Sequence, residues 1–197
     1  DKKIQYLVFN RVPMYIKNKL PEYFNIVKFV KALENTLPFK FSKIINSIIF
    51  LESDIFLKKQ INAFYNQKNI YVSNKQDNIS DAIDDVVHEY AHALEEKYGE
   101  SIYSDDLIKN EFLFKRHHLE RIIRNQGFDT ISHDFKNINF DKKLDNFLLN
   151  VVGYEKFNKL TNYGLFVNPY AATSLREYFA TGFEEYLLGD SRELKKI

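Results

Sequence analysis

Residues Asp84 to Lys97 read Asp-Asp-Val-Val-His-Glu-Tyr-Ala-His-Ala-Leu-Glu-Glu-Lys, a pattern that supports a helix. Ile83, Val86, Val87, Tyr90, Ala91 and Leu94 fall at i, i+3, i+4, i+7, i+8 and i+11, one apolar stripe. Asp85, His88, Glu89, His92 and Glu96 lie on another side. His88 and His92 are four residues apart, so on a helix both imidazoles point the same way and can hold one metal ion. Glu89 sits beside them, placed to take a proton from a water that the metal activates. Two imidazoles and a carboxylate suit zinc. With five His in 197 residues, chance supplies on the order of 0.01 such H-E-x-x-H motifs. Asp77, Asn78 and Ser80 offer N-caps, and Asp81, Asp84 and Asp85 favour the positive first turns. Gly99 is expected to end the helix after Lys97.

Length and composition bound the rest. A chain of 197 residues is one domain, or two lobes sharing a core. Hydrophobic residues make up 45%, with 18 Phe and 13 Tyr, enough for a packed core. The formal net charge of +1 provides no basic excess for a phosphate backbone, which argues against nucleic acid as a partner. No apolar run reaches membrane-spanning length. The absence of Cys excludes disulfides and thiolate metal sites. A start at Asp1 rather than Met is expected of a processed or excised chain.

Taken in order, residues 1–20 hold a short apolar run, Tyr6 to Phe9, and then Pro13, and read as irregular or as a packed extension. Pro21 to Leu37 reads as a helix opened by Pro21 and stopped by Pro38, with Tyr23, Ile26, Val27, Val30, Leu33 and Leu37 on one face. Ile44 to Leu51 reads as a buried strand. Ile61–Tyr65 and Asn69–Ser73 flank Asn66-Gln67-Lys68 and read as a hairpin, its first strand an edge. Strands followed by the motif helix predict an α+β arrangement: a small mixed sheet packed on the H-E-x-x-H helix, then a mostly helical C-terminal lobe. The lobes are expected over 1–99 and 100–197. A helix is expected over Ser104–Asn125, capped by Ser104, with Leu107, Ile108, Phe112, Leu119, Ile122 and Ile123 apolar. His117 and His118 are adjacent and so form a poor chelate. Lys115 to His118 read as a solvated basic face, and His133 takes no role. Asp141–Val152 is expected to be helical, ending near Gly153, with continuation over Tyr154–Asn162. Gly164–Pro169 is a loop, and Ser174–Leu188 a last helix, stopped by Gly189, with Leu175, Tyr178, Phe179, Phe183, Tyr186 and Leu187 apolar.

The segment Tyr170-Ala-Ala-Thr-Ser-Leu-Arg-Glu177-Tyr-Phe-Ala180, taken with the H-E-x-x-H motif, resembles the lethal-factor-like peptidase domain, the gluzincin-type family that includes the catalytic domain of anthrax lethal factor and the Pro-Pro endopeptidases. The resemblance rests on Val86–Leu94 and Tyr170–Leu187. It implies a zincin-like fold and zinc held by His88, His92 and Glu177. It also implies Glu89 as general base, Tyr170 as a catalytic hydroxyl, and secretion. Three positions depart from the family pattern: Ala91 stands where the family has Gly, residues 100–150 look like a helical insertion, and Thr181 replaces an acidic residue one turn after the ligand Glu. Tyr163 rivals Tyr170. Ser174 to Glu177 is also a capping box, and Glu184, seven residues beyond Glu177, shares its helical face.

The implied activity is a zinc-dependent endopeptidase acting on peptide or protein substrates. An extended peptide is expected to add a strand along Ile61–Tyr65. Two other classes compete: an idle lethal-factor-like binding module or toxin subunit, and a structural zinc protein. The first would not need Glu89. The second usually takes four protein ligands with Cys prominent.

Overall fold

A computed structural model describes residues 4–161 and 163–189. The chain forms two compact units, Asp1–Lys97 and Tyr98–Ile197.

The first unit is built on a five-stranded sheet in the order β1-β2-β3-β5-β4, formed by β1 (Ile4–Val8), β2 (Val12–Ile16), β3 (Ser47–Leu51), β4 (Ala63–Asn66) and β5 (Asn69–Ser73). The sheet is mixed. β2, β3 and β5 run parallel, and each edge strand pairs antiparallel with its neighbour. The α+β class is therefore the observed one. β3 reads Ser-Ile-Ile-Phe-Leu, with Ile48, Ile49 and Phe50 at most 1% exposed. An unbroken apolar strand has no solvent side, so it takes the centre of the sheet, covered on both faces. Burying each of these side chains is worth about 1.5–3 kcal/mol.

Residues 1–20 are not irregular. β1 and β2 form a hairpin whose turn places Phe9 and Asn10 at φ +57° and +52°, closed by Arg11 N donating to Val8 O at 3.1 Å. A bulky Phe in the left-handed region costs about 1–2 kcal/mol and is a rare turn residue, which is why the local pattern does not announce a hairpin. Pro13 lacks an N–H but pairs only with Leu7 of β1, because β2 meets β3 from Met14 onward.

The first helix, α1, spans Ile26–Thr36 rather than starting at Pro21. Asn25 caps it by accepting from Lys28 N at 3.0 Å, and a side-chain acceptor there outcompetes the first-turn preference of Pro21. Its buried residues are Phe29 and Leu33, while Tyr23 and Val27 are exposed. Phe29 meets Phe50 edge-on at 5.5 Å, which fixes α1 against β3. A short helix, α2 (Asp54–Lys59), follows β3. The expected hairpin is present as β4 and β5, and β4 is an edge strand.

The motif helix, α3, spans Ile79–Ile102. Asn78 Oδ1 accepts from Asp81 N at 2.9 Å, one of the expected caps. All six residues of the predicted stripe are buried. Gly99 does not end α3. The helix continues to Ile102 because a lone Gly costs about 1 kcal/mol in a helix interior, too little to stop so long a helix.

The second unit is helical: α4 (Leu107–Asn125), α5 (Lys142–Asn146), a π-helical stretch over Phe147–Gly153, α6 (Tyr154–Thr161), a 3-10 turn at Tyr170–Ala172, and α7 (Leu175–Leu188). Asn162, the expected end of the sixth helix, lies outside the described residues. Phe112, Leu119, Ile123, Phe147, Phe157 and Phe166 are core residues of this unit. α4 opens at Asp106, in the left-handed region at φ +55°, rather than at Ser104. The solvated basic face expected over 115–118 is not there: Lys115 is 6% exposed and Arg116 fully buried. The Arg116 guanidinium donates to Ala172 O at 2.6 Å and lies over the Phe112 ring at 5.2 Å. Burial pushes its pKa down to about 10, against the opposing pull of Asp134 and Asp141. A planar, weakly hydrated cation of this kind stacks on aromatic faces. No helix among the described residues is long and apolar enough to cross a membrane.

Candidate metal centre

α3 carries His88, Glu89 and His92 in its middle, flanked along the helix by the buried Val86, Val87, Tyr90 and Ala91. Those apolar neighbours hold the helix down on one side and leave the polar stripe on another. The ligand atoms of His88, Glu89 and His92 lie within 4.8 Å of one another, a group that could hold a metal ion. The two imidazole rings stand 5.0 Å apart at 82°. His88 and Glu89 are half-buried and His92 is 5% exposed, so part of the group is accessible while one imidazole is shielded. The donor set contains no thiolate and suits a borderline ion with nitrogen and oxygen ligands.

Glu95 lies beside this site, and the motif does not point to it. Its carboxylate lies 3.9 Å from His92 Nδ1 and its side chain is mostly buried. Carboxylates beside a metal-binding imidazole orient the ring and raise its basicity. The available signal was the i, i+3 spacing from His92, which places two residues side by side on a helix. Tyr90, between the histidines in sequence, has a fully buried hydroxyl with no hydrogen-bond partner, and burial holds its phenol well above the usual range.

The other predicted site residues are in the second unit. Tyr170 opens the 3-10 turn behind Pro169 and is 51% exposed. Its carbonyl accepts from Thr173 N and Oγ1, which fixes the turn and the direction of the chain into α7. Tyr163, the rival, is 75% exposed. Glu177 lies in the first turn of α7, where Ser174 caps the helix by accepting from Glu177 N at 3.2 Å. That contact is one half of the capping box read from the sequence. Thr181 is 3% exposed, and its hydroxyl has no hydrogen-bond partner. Glu184 is half-buried. His117 is exposed, and His133 stacks on Phe147 at 4.0 Å.

No family model, curated protein or solved structure matches this chain.

Proposed function

We propose that this chain is a zinc-dependent endopeptidase of the lethal-factor-like, gluzincin type, with a zincin-like fold. The observation that carries the reading is the juxtaposition of His88, Glu89 and His92 on one face of a well-formed helix, with their ligand atoms within 4.8 Å. Supporting it are the Glu95 carboxylate beside His92 and the residues Tyr170 and Glu177–Ala180 in the register of the resemblance.

In this reading His88, His92 and Glu177 hold zinc. Zinc, when bound, supplies Lewis-acid polarisation of a carbonyl and brings water deprotonation close to neutral pH. Glu89 accepts the proton of the attacking water and later hands it to the leaving amine, the two halves of general acid–base catalysis. The Tyr170 hydroxyl donates to the oxygen that gains negative charge in the transition state. Glu95 lies 3.9 Å from His92 Nδ1 and adds negative charge beside that ring. The edge strand β4 offers an extended peptide a row of backbone groups to pair with, and the secretion implied by the resemblance belongs to the same proposal.

Digestion of a diverse peptide library by zinc-replete protein tests the reading. Cleavage at internal bonds that stops with a chelator and returns with zinc is the expected result. Zinc at a ratio near one per chain with no cleavage of any peptide would favour the idle binding module. Failure to retain zinc by a folded protein would remove the site.

A further inference from the structure

The second unit contains a cleft of about 270 Å³ between α4 and α7. Its apolar walls are Ile108, Val167, Ala171, Phe179, Phe183 and Tyr186. At Gly182, in the middle of α7, an added Cβ would meet nothing within 4 Å. Glycine is a poor residue for a helix interior, and alanine would fit here at no steric cost, so helix packing does not require the gap. The gap keeps the cleft open.

Glu111, Lys115 and Tyr178 also line the cleft. Lys115, with a side chain only 7% exposed, donates to the Tyr178 hydroxyl at 2.7 Å and lies 2.8 Å from Glu111 Oε1. The Tyr178 hydroxyl donates in turn to the same Oε1. Burial pushes the Glu111 carboxyl up, but the bonds from Lys115 and Tyr178 and the Lys115 charge outweigh it and leave it below its ordinary value. Glu111 is thereby held as a carboxylate facing the Lys115 side chain. An ammonium has three donors, and these bonds use two of them, while Oε2 of Glu111 takes part in none of them. Lys115 is buried while the Glu111 side chain is 55% exposed, so the cluster sits where the apolar cleft meets solvent, and a few placed polar groups beside apolar walls are how small-molecule sites orient their ligands.

We propose that this cleft binds a small neutral amphipath: an apolar body lying along Ile108, Phe179 and Phe183, with a hydroxyl that accepts from Lys115 and donates to Glu111. Charge selects against the alternatives. A carboxylate is repelled by Glu111, a cation is repelled by Lys115, and a hydrocarbon makes no bond to either. The proposal uses only residues of the second unit that have no part in the proposed peptidase chemistry. Its test reads binding rather than cleavage, so the two can fail separately.

The probes are para-methylbenzyl alcohol, para-xylene, para-toluate and para-methylbenzylammonium, titrated into the full chain while the aromatic and methyl NMR resonances are followed. The alcohol should bind one-to-one with a Kd on the order of 1 mM, as expected for so few atoms, moving resonances of Phe179, Phe183 and Ile108. The other three should bind at least about tenfold more weakly, the loss expected for one unmade polar contact. Gly182→Leu should abolish binding by filling the cleft, and Gly182→Ala should keep it, a control for the fold of α7. Equal binding of the alcohol and para-xylene, shifts confined to other residues, or binding that survives Gly182→Leu would each overturn the proposal, as would no saturable binding to the parent chain.

Discussion

At the scale of single residues, Glu89 and Tyr90 illustrate how neighbours in one motif carry unlike burdens. Glu89 is half-buried beside two imidazoles, and the proposed chemistry asks it to move protons rather than to bind metal. Glu89→Gln should therefore retain zinc and lose turnover by about 10²–10⁴-fold, the range for a general acid–base group. Parallel zinc analysis and peptide cleavage check this, and undiminished turnover would remove Glu89 from its role. Tyr90 points the other way, into the core, with its hydroxyl buried and unpartnered. Taking a hydroxyl out of water without a replacement bond is unfavourable, while a ring of the same shape without it keeps the packing. Tyr90→Phe should raise stability by about 1 kcal/mol and leave zinc content unchanged, as read by thermal melting with and without metal. A fall in stability would mean that the hydroxyl has a bridging partner.

At the scale of elements, α7 and the β4–β5 hairpin carry the testable consequences. Glu177 and Glu184 are two turns apart on α7 and share a face. The resemblance gives the metal to Glu177, which opens the helix directly behind its Ser174 cap. Glu177→Ala should then abolish zinc retention and Glu184→Ala should not, measured by dialysis and metal analysis. The reverse pattern would shift the ligand two turns along the helix and break the register with Tyr170. The hairpin turn holds Gln67 and Lys68 at φ +47° and +61°, with Asn66 paired to Asn69. Two consecutive left-handed residues make a two-residue turn that favours Asn-Gly, and neither present residue is at ease there. Replacing Gln67-Lys68 by Asn-Gly should stabilise the chain by about 1 kcal/mol, a gain of a few degrees in Tm. No change in Tm would show that the strain is relieved elsewhere.

At the scale of the whole molecule, acid unfolding follows from Glu111. Its pKa lies below 4.5 in the folded chain, burial being outweighed by Lys115 and Tyr178. A carboxyl with a depressed folded pKa binds fewer protons than in the unfolded chain. Its stabilisation is present above pH 4.5 and is lost as pH falls through the lower folded value. Glu111→Gln should lower stability above that pH and flatten the acid limb below it, seen in denaturant midpoints across the range. An unchanged acid limb would mean that the Lys115–Tyr178 cluster does not act on folding. What could be read from the residues alone was local. The apolar stripe of α3, the alignment of His88, Glu89 and His92, and the β4–β5 hairpin follow from helical and strand periods that need no distant partner. The hairpin of β1 and β2 was hidden because its turn uses Phe9 and Asn10 rather than glycine. Lys115 and Arg116 looked like solvent residues because charge normally keeps a side chain in water. Tertiary packing decided otherwise: rings and a carbonyl receive Arg116, and Glu111 with Tyr178 receives Lys115. Glu111 and Phe112 each lie one helical turn before the cation they meet, but the Tyr178 hydroxyl and the Ala172 carbonyl are far away in sequence, and no local period encodes them.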